Sequence, residues 1–252
     1  MKPLKDTLNE SLLDDEDELF DRNDKTLIEL WIKENYKIYG TLKIHEDKHG
    51  FVVDSNDDVK VTNKDIKSLT NGMFRWGEIT SRFNCEKCKK LTSLEGAPNV
   101  CKWLDCSECT ELKSLKGVPK KCKWFDCPKC TGLISLEGAP NECYSFNCEN
   151  CKALTSLEGA PKKCNEFYCS GCTELRSLEG APKKCGWFYC SRCTGLTSLK
   201  GAPNECYVFN CSKCTGLRSL EGVPKKCNQI ECSSCPNLII TDNDLKKYKI
   251  KS

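Results

Sequence analysis

The sequence predicts a mainly β solenoid over residues 85–235, preceded by a small α+β N-terminal cap region. Two observations carry this prediction. All 23 cysteines of the 252-residue chain fall in three columns, and within each column neighbouring cysteines are 21 residues apart. In addition, every 21-residue unit repeats one short β-like run and one Gly-x-Pro turn signal.

The three thiol columns define the repeat. The first thiol column opens each C-x₂-C pair and contains Cys85, Cys106, Cys127, Cys148, Cys169, Cys190, Cys211 and Cys232. The second closes that pair and contains Cys88, Cys109, Cys130, Cys151, Cys172, Cys193, Cys214 and Cys235. The third precedes each β-like run and contains Cys101, Cys122, Cys143, Cys164, Cys185, Cys206 and Cys227. Because the period never slips, each column is expected to stack along the solenoid.

A single unit, residues 122–140, shows how one coil is built. Phe125, Asp126 and Cys127 alternate inward, outward and inward, as in a short strand. Gly138 permits a positive φ and Pro140 sets φ near −65°, so the chain turns there. A coil of 21 residues leaves no room for a full helix, so the return side is expected to be 3₁₀ or extended.

The unit resembles the leucine-rich repeat pattern L-x-x-L-x-L-x-x-N/C-x-L. Cys122, Phe125 and Cys127 match its first three apolar positions, and Cys130 matches the Asn/Cys position, whereas Leu133 comes one residue late. The recurrent phrase L-x-S-L-x-G-[AV]-P is similar to solenoids of gut bacteria and their phages. The resemblance covers residues 85–235. It implies a solenoid whose strand face, the outward surface of its stacked strands, often binds proteins.

The rest of the chain is predicted to contain an acidic N-terminal segment and regions that cap the two ends of the solenoid. Residues 1–24 hold nine acidic and three basic residues and are predicted to be a flexible acidic segment. Residues 25–57 are expected to hold a helix at 25–37, with Asp24 as its N-cap, followed by a hairpin. Residues 58–84 are read as a degenerate capping coil that covers the first rung with Val59, Val61, Ile66, Leu69, Phe74, Trp76 and Ile79. Residues 236–252 are expected to close the other end with Leu238, Ile239, Ile240, Leu245, Tyr248 and Ile250.

The cysteine spacing favours a metal. Cys101, Cys106 and Cys109 spell C-x₄-C-x₂-C, the spacing of the first three ligands in plant-type ferredoxins, and this spacing occurs seven times. A neighbouring rung would supply the fourth thiolate, for example Cys88 or Cys130. Rungs about 4.8 Å apart limit the solenoid to about three or four iron–sulfur clusters, held by a subset of the 23 cysteines. Clusters in a row would suit electron transfer.

Other roles for the thiols stay open. Pairs of C-x₂-C on adjacent rungs would also suit structural zinc with four cysteine ligands. Free cysteine can equally be a small buried hydrophobe, copied by duplication. Disulfides between stacked cysteines are sterically allowed, but a reducing compartment opposes them.

A metal-free protein-binding scaffold is the alternative function. The outward strand positions vary while the rest of the unit is constant, and aromatic side chains there are typical of interfaces. The candidate partner-binding residues are Trp103, Trp124, Tyr168, Trp187 and Tyr189. Stacking of Trp103 on Trp124 along the sheet is the structural alternative. Paired lysines before the third thiol column make a basic edge that can attract an acidic partner or favour thiolates.

Several function classes are not expected. No catalytic triad, paired-acid motif or phosphate loop is present, so the chain is predicted not to be an enzyme. The acidic N-terminus is not a signal peptide and no long apolar run occurs, which predicts a cytoplasmic protein without membrane association. A net charge of +3 gives little reason to expect nucleic acid binding.

Overall fold

A computed structural model describes residues 24–242, 244 and 250–251. They form a parallel β solenoid of about nine turns with a spacing of about 21 residues, together with one short N-terminal helix and antiparallel strands. The predicted fold class is therefore confirmed. Among these residues, no helix has the length and apolar character needed to cross a lipid bilayer.

The N-terminal helix and the strands have the following bounds in the described residues. The helix α1 is Asp24–Asn35. The strands before the repeats are β1 (Tyr36–Ile38), β2 (Leu42–Asp47), β3 (Gly50–Ser55), β4 (Val59–Val61) and β5 (Arg75–Asn84). The repeat strands are β6 (Val100–Asp105), β7 (Trp124–Asp126), β8 (Glu142–Asn147), β9 (Lys163–Tyr168), β10 (Trp187–Tyr189), β11 (Glu205–Asn210), β12 (Lys226–Glu231) and β13 (Ile250–Lys251). From β5 onward, each strand is parallel to the next one in the chain.

Register between the repeat strands follows the 21-residue period, so equivalent residues lie side by side. Phe125 pairs with Phe146, and Phe146 pairs with Phe167. The phenylalanine rings from Phe125 to Phe209 stack with centroids 5.2–5.6 Å apart and planes within 11° of parallel. These rings are fully buried and form the centre of the core. A slip of one residue would turn this column outward, so burial fixes the register.

The turn predicted at Gly138 is present, and it requires glycine. Its φ is +94°, and an added Cβ would lie 2.5 Å from the backbone nitrogen of Lys116 in the previous coil. The return side of each coil consists of turns and segments without assigned secondary structure, and no described residue belongs to a 3₁₀ helix. Single turns closed by i→i+3 hydrogen bonds recur there, for example from the amide of Leu91 to the carbonyl of Cys88 at 3.1 Å.

The N-terminal cap begins with α1, which packs Leu27, Ile28 and Ile32 into the core. The helix is shorter than predicted because the backbone of Asn35 already joins the cap. Its carbonyl accepts a hydrogen bond from the amide of Thr62 at 2.8 Å. The next residues then form β1, which is antiparallel to β4.

The rest of the cap follows the expected order. Strands β2 and β3 form the predicted antiparallel hairpin, and β3 continues as a parallel neighbour of β5. The predicted capping-coil residues are all buried: Val59, Val61, Ile66, Leu69, Phe74, Trp76 and Ile79.

The C-terminal end is only partly described. Leu238, Ile240 and Ile250 pack against the core as expected. The expectation for Ile239 is wrong, since its side chain is 71% exposed. It lies between two residues that face the core and therefore faces solvent. Residues 1–23 of the acidic segment, together with Leu245 and Tyr248, lie outside the described residues.

Candidate functional site

The first thiol column lies in the centre of the solenoid. Its members from Cys85 to Cys211 are fully buried, and only Cys232 at the end is 5% exposed. Burial raises the pKa of Cys127 and Cys169 well above the ordinary value, because a thiolate would lose its hydration there. These thiols are therefore protonated core residues.

The second thiol column hydrogen-bonds adjacent coils together. From Cys109 onward, each Sγ donates to the backbone carbonyl of the first-column cysteine in the previous coil. The Sγ–O distances are 3.1–3.3 Å for Cys109, Cys130, Cys151, Cys172, Cys193, Cys214 and Cys235. Each bond supplies a partner to a carbonyl inside the core. The column thus has a structural role that requires no metal.

The C-x₄-C-x₂-C triplets do not converge in space. Cys143 lies on β8, and Cys148 directly follows the same extended strand. Five residues of strand separate two Cα atoms by about 16 Å, which is too far for both thiols to bind one cluster. Within the described coils, no group of three or more Cys, His, Asp or Glu side chains is arranged to hold a metal ion. The geometry does not favour iron–sulfur clusters or zinc, and both stay predictions.

The third thiol column is different because it reaches the surface. Its sulfur atoms approach one another across adjacent coils, and Cys164 interacts with both Cys143 and Cys185. The Sγ–Sγ distances are 3.9 Å for Cys101–Cys122, 3.5 Å for Cys143–Cys164 and 3.2 Å for Cys206–Cys227. All the cysteines are free thiols. Cys143 and Cys227 are only partly buried, so this column is accessible to solvent.

A groove runs along the third thiol column. One part has a volume of about 780 Å³ and is lined by Cys143, Cys164, Cys185 and Cys206. A second part of about 490 Å³ is lined by Cys101, Cys122 and Cys143. The two parts share Cys143, Tyr144 and Lys163, so they are continuous. We call this surface the thiol groove.

Lysines make the thiol groove basic. The larger part is lined by Lys162, Lys163, Lys183, Lys184 and Lys226, against one carboxylate, Glu205. Glu205 forms ion pairs with Lys226 at 3.1 Å and Lys184 at 3.2 Å, which lower the pKa of its carboxyl group. Within the described chain, Lys162 and Lys183 form no ion pair. The groove therefore keeps an excess of positive charge.

The predicted partner-binding aromatic residues lie on the strand face, and all are half-buried. Trp103 contacts Trp124 with centroids 6.2 Å apart, and its Nε1 donates to Asp126 at 2.6 Å. The ring planes are inclined by 52°, so the two rings are in tilted contact along the sheet and are not stacked. Tyr168 and Tyr189 stack with centroids 5.1 Å apart.

Trp187 connects the strand face to the thiol groove. Its ring lies 5.6 Å from the ring of Tyr207, which is 58% exposed and lines the groove. Tyr144, 44% exposed, occupies the equivalent position three coils earlier. Sequence reasoning did not select either tyrosine. The signal was present, since both follow a third-column cysteine in the phrase Glu-Cys-Tyr.

Known proteins provide no further guide to this site. No protein-family model, curated protein or solved structure matches the chain significantly.

Proposed function

We propose that the chain is a metal-free, leucine-rich-repeat-like scaffold that binds an acidic protein segment in the thiol groove and on the adjoining strand face. The observation that carries the proposal is the continuity of the two surfaces. The contact between Trp187 and Tyr207 joins the aromatic strand face to the lysine-lined groove. A partner can thus contact exposed rings and free lysines at once.

The charge of the groove favours an acidic partner. Lys162 and Lys183 are exposed, lie on successive coils and line the same part of the groove. Neither is neutralised within the described chain, whereas Lys184 and Lys226 share Glu205. Carboxylates of a partner would complete these ion pairs and orient its approach.

The aromatic rings supply apolar contact area. Tyr207 is exposed but held against Trp187, so little side-chain entropy is lost when a partner covers it. Tyrosine and tryptophan are enriched among residues that dominate binding energy. An aromatic side chain held in place by a neighbour, such as Tyr207, with basic residues around it is typical of a protein interface.

The test uses a fluorescently labelled synthetic peptide of alternating Glu and Tyr, with binding measured by fluorescence anisotropy. We expect Lys162→Glu combined with Lys183→Glu to weaken binding by about tenfold or more. The matched control combines Lys113→Glu with Lys152→Glu, which reverses two exposed lysines outside the groove. The control should bind like the wild type. Tyr207→Ala should also weaken binding.

Equal loss in the groove variant and the control would contradict the proposal, because it would show only a general charge effect. Tighter binding of a single-stranded oligonucleotide than of the peptide would also contradict it and would assign the groove to nucleic acid. Binding should weaken with added salt, since exposed charges are screened.

A further inference from the structure

We propose that Cys206 and Cys227 form a thiol–disulfide exchange site that reacts with a low-molecular-weight disulfide and closes an intramolecular disulfide. The proposal is independent of the partner-binding function, since it concerns the chemistry of two sulfur atoms: that of Cys206, which lines the thiol groove, and that of Cys227 on the next coil. It rests on their separation, their unequal exposure and their contrast with the other thiols.

The backbone already places the two residues for a disulfide. Cys206 on β11 and Cys227 on β12 are direct register partners in the parallel sheet. Neighbouring strands lie about 4.8 Å apart, and disulfides require Cα atoms roughly 4.4–6.8 Å apart. The two Sγ atoms are 3.2 Å apart, closer than those of Cys101–Cys122 or Cys143–Cys164. Closure therefore needs only a small side-chain rotation.

The two thiols are not equivalent. Cys227 is partly exposed, whereas Cys206 is 8% exposed. A hydrogen bond from Cys206, aided by backbone hydrogen bonds at Gln229 and Phe209, lowers the pKa of Cys227 to about 7. The same contact and burial raise the pKa of Cys206. Cys227 is thus the accessible thiolate and Cys206 the thiol held beside it.

Charged groups near the pair are few and mutually compensated. Lys226, adjacent to Cys227, forms an ion pair with Glu205, and Glu205 also binds Lys184. The Cys227 sulfur also lies 3.1 Å from the carbonyl oxygen of Gln229. The hydrogen bond from Cys206 is the largest influence on the pKa of Cys227, so Cys206 controls the reactivity of Cys227.

The exchange takes place in two steps. The Cys227 thiolate attacks one sulfur of the incoming disulfide, so a mixed disulfide forms and one thiolate leaves. Cys206 then attacks the Cys227 sulfur, and its proton leaves with the second small thiol. The two protein thiols are oxidised by two electrons in total, and the incoming disulfide is reduced to two thiols. No further reactant is needed.

The other thiols should react more slowly. The first thiol column is fully buried up to Cys211 and has no access for an oxidant. The second donates its S–H groups to carbonyls in the core. In the third, the partly exposed Cys143 lies 3.5 Å from Cys164, which is buried with a raised pKa. The pKa of Cys122 and of Cys193 is lowered by hydrogen bonds from other cysteines, but both side chains are buried.

The test incubates the full chain with glutathione disulfide, followed by rapid acid quench, proteolysis and mass spectrometry. The first product of the wild type should be a peptide pair joined through Cys206 and Cys227. Cys206→Ser should instead accumulate a glutathione adduct on Cys227, because the resolving thiol is missing. Cys227→Ser can form neither product, and its Cys206 should be oxidised more slowly than in the wild type. Cys185→Ser, a third-column control, should still form the wild-type product.

Several results of this experiment would overturn the proposal. A first oxidation product in the first or second thiol column would overturn it, as would unchanged oxidation of Cys206 in Cys227→Ser. A glutathione adduct that persists on Cys227 in the wild type would overturn the closure step. Circular dichroism of each variant establishes that the solenoid is intact, and a variant that unfolds is replaced by the corresponding Cys→Ala substitution. If both substitutions unfold the chain, the proposal that these thiols form a surface exchange site is also overturned.

Discussion

The Sγ atom of Cys130 donates a hydrogen bond to the backbone carbonyl oxygen of Cys106, 3.1 Å away in the previous coil. The same carbonyl accepts the amide of Cys109 at 3.4 Å, so it is satisfied both within its own coil and from the next. Asn and Cys can both donate from such a position. This explains in physical terms why Cys130 matches the Asn/Cys position of the repeat pattern.

Removal of this donor should destabilise the fold. For Cys130→Ala we expect a loss of about 1–2 kcal/mol in the free energy of unfolding, because a hydrogen bond is lost and a small cavity remains. Cys130→Ser keeps a donor at the same place and should lose less. Urea denaturation followed by circular dichroism measures both. Equal losses in the two variants would show that the thiol fills space without bonding.

A second prediction concerns backbone strain in the C-x₂-C turns. Lys213 has a φ of +62°, and the equivalent residues Lys129 and Arg192 have φ of +59° and +57°. Gly171 occupies this position in one coil, with φ +74°. Lys213→Gly should stabilise the chain by about 0.5 kcal/mol, since relief of left-handed strain exceeds the added entropy of the unfolded chain.

The reverse substitution, Gly171→Ala, should destabilise by about 1 kcal/mol. Lys213→Ala is the matched control, because alanine keeps the strain of the left-handed conformation and should be nearly neutral. Thermal and urea unfolding of the three variants test this together. Destabilisation by Lys213→Gly would show that the lysine side chain contributes more than the strain costs.

The reactivity of Cys227 should depend on pH in a distinctive way. Its pKa of about 7 means that the thiolate is present above neutral pH and is lost as the pH falls below 7. Alkylation by iodoacetamide should therefore reach half its maximal rate near pH 7 and level off above it. An ordinary cysteine would still gain reactivity beyond about pH 8.

Cys206→Ala removes the hydrogen bond that lowers the pKa of Cys227. In that variant the midpoint of the alkylation profile should move toward the ordinary cysteine value. The pKa of Glu205 is lowered by its contacts with Lys226 and Lys184, so this carboxyl group does not contribute a midpoint in this range. A profile that is unchanged by Cys206→Ala would show that Cys206 does not control the neighbouring thiol.

Metal content decides between the two functions suggested by the sequence. We expect protein purified without oxygen to contain iron, acid-labile sulfide and zinc well below one equivalent per chain. The reason is that the second-column thiols bond carbonyls and the triplet cysteines are spread along a strand. Stoichiometric iron and sulfide after cluster reconstitution would contradict this expectation and support the iron–sulfur prediction.

Much of the architecture was predictable from particular residues. The alternation of Phe125, Asp126 and Cys127 predicted a strand, and Gly138 predicted the turn. The helix near Leu27 was predicted, although its end was placed two residues too late. Nothing in local periodicity shows that the backbone of Asn35 bonds Thr62, so that boundary depended on a tertiary contact.

The candidate site was predictable only in part. Cysteine spacing along the chain suggested that Cys143 and Cys148 act together, but an extended strand keeps them apart. Conversely, Cys206 and Cys227 are distant in sequence and lie in contact. The basic edge that includes Lys183 was predicted, whereas Tyr207 was not singled out, because its exposure at a shared groove depends on how successive coils stack.

The sequence by itself determined the solenoid, its 21-residue coil and the identity of its inward columns, because strict periodicity in glycine, leucine and cysteine admits one register. Only the tertiary structure decided what the thiols do. Burial depth and partner atoms separate a protonated core column, a column that bonds carbonyls and a surface column of close sulfur pairs. Those differences arise from distances across coils, and the linear spacing of cysteines does not specify them.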